Sequence, residues 1–395
     1  MSNSELIKDI LERGVVNIIP SGEALKRELE SRRLNVYLGI DPTAVRIHLG
    51  HAVLLRKLAQ LGQLGHSVTF LIGDFTALIG DTSDKDSERP RLTGLQIKEN
   101  FATYKQQAEK FIDFGKVKLV HNSDWLKRLT FEDIVKLSQH FSAGDFVGRE
   151  LIKKRLASGQ NVGLHELLYP LMQGYDSYYL DTDLQLGGTD QTFNMAAGRT
   201  LQKDLRNKES FVLAGEFLPG TDGRKMSKTW GNAIWLDDSA AEIYGKVMSL
   251  ADGLIVTYFT LATNLPLTEI DGLKADLEFN RATPLAAKKR LAFQIVSELH
   301  GPSEAQMAEN EFEQIFQKRE LPTNIATAKI SGKPKLINLL VSSGLTPSAS
   351  EAKRLILQGA VRLAGEKIAD VNFILGSQNK GAVIKVGKRK FVRLA

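Results

Sequence analysis

The chain alternates between short, continuously apolar runs and longer stretches whose apolar positions recur every three to four residues. "VYLGI" (36–40) and "SVTFLIGDFTALIG" (67–80) are rich in β-branched and aromatic residues, a pattern that favours buried strands. Between them, residues 51–65 place Leu54, Leu55, Leu58 and Leu61 on one helical stripe. A strand, a helix and a second strand predict a parallel pair joined by a right-handed crossover. The second strand leads into the polar loop "GDTSDKDSERPRLTG" (80–94).

The first 30 residues predict a helix, with Leu6, Ile10 and Leu11 on one face and Gly14 near its end. Residues 95–180 read as mostly helical before the chain returns to the sheet near "DLQLGGTDQ" (183–191). The helical period resumes over about 236–318 and predicts a separate helical domain. "QKRELPTNIATAKISGKP" (317–334) is polar, holds two prolines and has no period, so it reads as a linker. Two short helical patterns and three strand-like runs, "AVRLAGEKI", "GAVIKVG" and "RKFVRL", follow it.

The chain has 395 residues, more than one ordinary core organises, so two or three domains are expected. Its 43% hydrophobic and 25% charged residues suit a globular chain. No apolar run approaches the ~18 residues needed to span a bilayer, and the start carries charges where a secretory signal is apolar. A cytoplasmic location without a membrane partner is expected. Cysteine is absent, which excludes disulfides, thiolate metal sites and a Cys nucleophile. The overall charge of +6 is unevenly spread: residues 333–395 hold 12 Lys and Arg against 3 Asp and Glu, leaving 40 against 43 in the rest. A small basic domain on a mildly acidic body suggests a polyanion-binding appendage.

Two motifs carry candidate chemistry. "IHLGH" (47–51) stands where a strand hands over to a helix, a place where free N–H groups and the helix dipole favour phosphate. Gly50 would let a nucleotide lie against the backbone, and His48 and His51 could donate to phosphate oxygens. A metal pair also fits His-x-x-His, but the sequence offers no obvious third ligand, and no protein-bound metal is expected. Two purely structural histidines are the plainer alternative. "GRKMSKT" (223–229) is a cationic loop whose Lys225 and Lys228 could neutralise a leaving pyrophosphate. Alone, it reads better as a solvated basic loop.

In "YPLMQGYDSYYLDTDLQLGGTDQ" (169–191), Tyr169, Gln173 and Asp176 fall at i, i+4 and i+7 and would share one helical face. Three polar groups on a face otherwise carrying Leu and Met are costly in a core unless something pairs with them. They bind a ligand or satisfy one another.

His48-Leu49-Gly50-His51 followed by Lys225-Met226-Ser227-Lys228-Thr229 resembles, in order and spacing, the "HIGH" and "KMSKS" signatures of class I aminoacyl-tRNA synthetases. "YLGIDPTAVRIHLGH" (37–51) and the 169–191 stretch narrow the resemblance to the bacterial-type tyrosyl-tRNA synthetases, and it covers nearly the whole chain. It implies a Rossmann-like α/β catalytic domain over 1–235 with a helical dimerisation insertion at about 100–165. An α-helical anticodon-arm domain (236–318), a linker (319–332) and a small α+β RNA-binding domain (333–395) would follow.

The resemblance also implies roles. Tyr37 and Asp176 would bind the phenolic hydroxyl of tyrosine, while Tyr169, Gln173 and Asp81 hold its ammonium group; Gln191 would lie near its carboxylate. Gly39, Asp41, Gly50, Gly188 and Met226 would line the ATP site, with Asp190 on the ribose. His48, His51, Lys85, Arg89, Lys225, Lys228 and Thr229 would stabilise the transition state. Lys353, Arg354 and Arg362 would contact RNA. The expected ligands are L-tyrosine, ATP with Mg2+ and tRNA(Tyr), in a homodimer. Leu49 and Thr229 depart conservatively from the signatures, and Leu38 is apolar where some relatives carry a small polar group near the ribose. A tryptophan-specific enzyme shares both signatures but has less use for Tyr37 with Asp176. Intact motifs argue against a non-catalytic RNA-binding descendant.

Overall fold

The computed structural model describes residues 2–81, 92–227, 230–314, 325–330, 332, 334–387 and 390–395. They form two compact units, one of Met1–Ser239 with Lys246–Leu299, the other of Ala240–Gly245 with His300–Ala395.

The first unit is built on a six-stranded sheet. Its strands are β1 (Val15–Ile19), β2 (Asn35–Ile40), β3 (Ser67–Ile72), β4 (Lys118–His121), β5 (Leu184–Gly188) and β6 (Phe211–Gly215), in the order β1-β6-β5-β2-β3-β4. All pairs are parallel except β1 with β6. The crossover between β2 and β3 is the helix Leu49–Gln63, whose Leu55, Leu58 and Leu61 are fully buried against Val36, Leu38, Phe70 and Leu186. The sequence turns one way from β2 through β3 to β4 and the other way from β5 to β6. The crevice at the C-terminal ends of β2 and β5 is therefore a topological switch point, where open parallel sheets bind ligands.

Three departures from the sequence reading have physical causes. The first 30 residues are not one helix: Asn3–Glu12 and Gly22–Ser31 are helical, with β1 between them. Gly14 takes the left-handed φ of 55°, which ends the first helix and turns "VVNII" onto the sheet edge. The helical region 95–180 contains β4, whose four residues are too few and too polar to show a strand period. The stretch 236–318 is helical, but residues 246–299 group with the sheet-bearing unit and 300–314 with the other. The tie is polar. The Arg13 guanidinium donates to the carbonyls of Thr260 (3.0 Å), Thr263 (3.4 Å) and Leu265 (2.6 Å), and buried Arg56 pairs with Glu298 at 3.1 Å.

The second unit carries a sheet of β7 (Thr327–Ala328), β8 (Val361–Leu363), β9 (Glu366–Lys367), β10 (Val383–Val386) and β11 (Lys390–Leu394), ordered β7-β11-β10-β8-β9. The helices Leu336–Ser342 and Ala349–Leu357 cover it, and Leu336, Leu340, Ile356, Val361 and Ile384 are wholly buried between them. Half of the 319–332 linker lies outside the described residues, and its described part carries β7. Among the described residues no helix is long and apolar enough to cross a membrane.

Candidate active site

The helix Leu164–Tyr179 supplies the floor of the crevice, and it turns Tyr169, Gln173 and Asp176 to one side as their spacing requires. It packs closely on the helix Thr192–Arg206. A Cβ on Gly174 would lie 3.1 Å from the Ala197 backbone, so any side chain there would have to move the neighbouring helix by a few tenths of an ångström.

Asp176 is 2% exposed. The Trp125 indole donates to its Oδ1 at 2.7 Å and Asn122 Nδ2 to its Oδ2 at 3.1 Å. Burial nevertheless dominates and pushes its carboxyl up to about 8, against the lowering effect of the two donors. Tyr37, in the middle of β2 and 3% exposed, donates its hydroxyl to Gln185 at 3.2 Å. Burial and then the charge of Asp176 raise its phenol, which stays a neutral donor. The Gln173 side chain, close by, acts against that rise.

Beside this polar pocket, Tyr169 donates to Asp41 at 2.9 Å, and Asp41 also accepts from Thr76 at 2.8 Å. Gln191, in the turn Thr189–Gln191 after β5, donates to buried Asp81 at 2.6 Å. The charge of Asp81 reaches Tyr169 and helps raise its phenol, behind burial and Asp41. Gly39, Asp41, Gly188 and Asp190 stand at or just past the ends of β2 and β5.

His48 caps the start of the helix Leu49–Gln63 and His51 follows one turn in, with ring centroids 3.9 Å apart. Burial lowers His48 to about 2, helped by His51 and Lys225, and lowers His51 to about 4, again with Lys225 acting in the same direction. Both rings are neutral at pH 7. A Cβ on Gly50 would lie 2.9 Å from His48 Nδ1, so this glycine makes room for the pair.

Lys225 is exposed, with its ammonium 4.9 Å from the Phe217 ring centroid, and Met226 is buried. Asn232 holds this segment, accepting from the Ser227 N–H at 2.8 Å and donating to the Lys225 carbonyl at 3.1 Å. Lys85, Arg89, Lys228 and Thr229 lie outside the described residues. In the second unit Lys353 and Arg354 share the helix Ala349–Leu357 and Arg362 lies on β8. Arg354 pairs with Glu351 at 2.6 Å, and Arg362 donates to the Gly365 carbonyl at 3.0 Å.

Residues 29–317 match the family model described as tRNA synthetases class I (W and Y). The chain belongs to this family. Residues 311–394 match the tyrosine--tRNA ligase SYY-like C-terminal domain. A tyrosine--tRNA ligase of Carboxydothermus hydrogenoformans is 44% identical over 98% of this chain and 97% of its own length. One from Thermotoga maritima is 40% identical over 100% and 98%. Among solved structures, a C-terminally truncated Aspergillus nidulans mitochondrial tyrosyl-tRNA synthetase is similar in fold, with a TM-score of 0.66 at 24% identity over 79% of this chain and 94% of that one. The Archaeoglobus fulgidus tyrosyl-tRNA synthetase complexed with L-tyrosine has a TM-score of 0.63 at 21% identity, covering 78% and 100%. The class I α/β catalytic fold expected from the signatures is the fold of this synthetase chain.

Four residues of this synthetase site escaped the sequence reading. Gln185 was detectable as a fully buried amide in an otherwise apolar strand. Trp125 and Asn122 carry no periodic signal, because each acts on Asp176, more than 50 residues away and brought near only by the fold, whereas Asn232 grips Lys225 and Ser227 within one irregular loop that no helix or strand period marks.

Proposed function

We propose that this chain is a tyrosine--tRNA ligase that joins L-tyrosine to ATP and then to tRNA(Tyr). The observation that carries the substrate is buried Asp176 beside Tyr37 and Gln173. A polar pocket floor of this kind serves a phenolic hydroxyl. Phenylalanine would leave its groups unpaired at about 1–3 kcal/mol each. Full-length relatives carrying the tyrosine--tRNA ligase name at 40–44% identity support the same reading.

The amino-acid carboxylate is already a nucleophile at neutral pH, so the protein has to orient reactants and stabilise charge. A carboxylate oxygen attacks the α-phosphorus of Mg-ATP, and the bond to the β-phosphate oxygen breaks, giving tyrosyl-adenylate and pyrophosphate. Tyr169, Gln173 and Asp81 would hold the ammonium group, Gln191 the carboxylate side and Asp190 the ribose. Gly39, Asp41, Gly188 and Met226 would line the nucleotide site. His48 and His51, neutral at working pH, would act as hydrogen-bond donors, while Lys225, Lys228, Lys85 and Arg89 supply positive charge and Thr229 a hydroxyl. A ribose hydroxyl at the tRNA terminus then attacks the tyrosyl carbonyl carbon, and AMP leaves.

The basic C-terminal residues Lys353, Arg354 and Arg362 would contact tRNA phosphates. A homodimer formed through residues 100–165 is supported by the exposed apolar side chains Phe131, Val135, Val147 and Leu156. A shift from dimer to monomer mass on substituting Leu156 and Val147 with Glu would support it, and an unchanged mass would remove it. The activity is tested by exchange of labelled pyrophosphate into ATP with each of the twenty amino acids, repeated with Asp176→Ala. Exchange with tyrosine alone, lost or relaxed in the variant, supports the proposal. Exchange with tryptophan overturns the substrate, and exchange with none overturns the enzyme.

A further inference from the structure

The segment that carries Lys225 returns to the sheet directly beside the histidines. The Leu49 N–H donates to Ile234 O at 2.8 Å and the Leu236 N–H to Ile47 O at 2.9 Å, with His48 and Trp235 bridged antiparallel. The two signature motifs therefore share one seam, and Arg46 closes it. Its Nε donates to both Asp237 oxygens, at 2.7 and 2.9 Å, and its Nη2 to Asp238 Oδ1 at 2.8 Å. The guanidinium carbon stands 5.1 Å from the Trp235 ring centroid, and that ring is 6.0 Å from His48. From the other side Gln107 accepts from the Ile47 N–H at 2.7 Å and donates to Val45 O at 3.0 Å. Three residues before Trp235, Asn232 grips Lys225 and Ser227.

We propose that Arg46 is a positioning residue for amino-acid activation, a reading that rests on the proposed function. Its planar fork and its stacking on Trp235 hold residues 233–238 against the Ile47–Leu49 edge, and so fix Lys225 relative to the His48–His51 pair. Arg46 itself touches neither histidine in this frame. It lies within the 37–51 stretch, immediately before "IHLGH". Its loss leaves no buried carboxylate orphaned: Asp238 keeps the Trp235 N–H at 2.8 Å and the Lys246 ammonium, and the Asp237 side chain is 44% exposed. The fold should therefore outlast the geometry.

The test compares Arg46→Ala, Arg46→Lys and Asp237→Ala in tyrosine-dependent pyrophosphate exchange, with kcat and each KM measured separately beside thermal melting. Arg46→Ala should lower kcat about tenfold or more, since small misplacements of reacting groups cost that much, while KM for tyrosine stays within about twofold. Arg46→Lys should recover only part, because an ammonium lacks the two-pronged planar geometry. Asp237→Ala should reproduce part of the loss, and the double variant should be no worse than Arg46→Ala. If Arg46→Ala fails to fold, the exposed Asp237→Ala carries the same comparison. A kcat within about twofold of wild type, or parallel losses in kcat, tyrosine KM and melting temperature, overturns the inference. A silent wild-type enzyme overturns the proposed function and this inference with it.

Discussion

Trp125 donates its indole N–H to Asp176 over 2.7 Å inside a pocket where Asp176 is 2% exposed. The residue that would choose the substrate is therefore held by one lying 51 positions earlier in the chain. Trp125→Phe keeps most of the ring and deletes the donor. An unpaired buried acceptor costs about 1–3 kcal/mol, so KM for tyrosine in pyrophosphate exchange should rise about tenfold, with a larger effect than Trp230→Phe on the exposed loop.

The high pKa of Asp176, about 8, makes a signed prediction for the ligand-free protein. The folded state holds this proton between about pH 4 and pH 8 while the unfolded chain releases it. The group's stabilising contribution is present below the unfolded value and is lost as pH rises toward 8. Asp176→Asn should therefore flatten the fall in melting temperature over this window relative to wild type.

His48 and His51 have the opposite sign. Burial depresses both, to about 2 and about 4, so their contribution is present above pH 6.5 and is lost as pH falls through those values. His51→Asn should lessen acid destabilisation between pH 6.5 and 4, read by urea midpoints. His48→Asn, which retains a donor, should lose less exchange activity than His48→Ala.

Gly50→Ala separates packing from catalysis. The added methyl would stand 2.9 Å from His48 Nδ1 and force the rings apart, while alanine in a helix is favoured over glycine by up to about 1 kcal/mol. The clash costs about 1–3 kcal/mol against that gain, so melting temperature should hold or fall slightly, and kcat for exchange should fall at least about tenfold.

The C-terminal cations are predicted to act unequally. Arg354 is occupied by Glu351, so Lys353→Ala and Arg362→Ala should weaken tRNA charging more than Arg354→Ala. Each lost phosphate contact should reduce the salt dependence of tRNA affinity by roughly 0.7–0.9 in log–log slope. Pyrophosphate exchange should be unchanged in all three.

Short-range order along the chain determined much of this molecule. The β2–helix–β3 unit, the shared face of Tyr169, Gln173 and Asp176, and the strand-to-helix setting of His48 and His51 follow from spacings of seven residues or fewer, where backbone geometry alone fixes which side chains meet. The basic C-terminal unit was equally legible from charge. Tertiary structure decided the rest. Whether "VVNII" pairs with β6, whether 246–299 joins the sheet-bearing unit through Arg13 and Arg56, and whether Trp125, Asn122 and Gln185 reach the tyrosine pocket depend on contacts between distant segments. No local period encodes those contacts. Their free energy comes from apolar burial, together with hydrogen bonds that offset the cost of burying polar groups and find their partners only after the chain has folded.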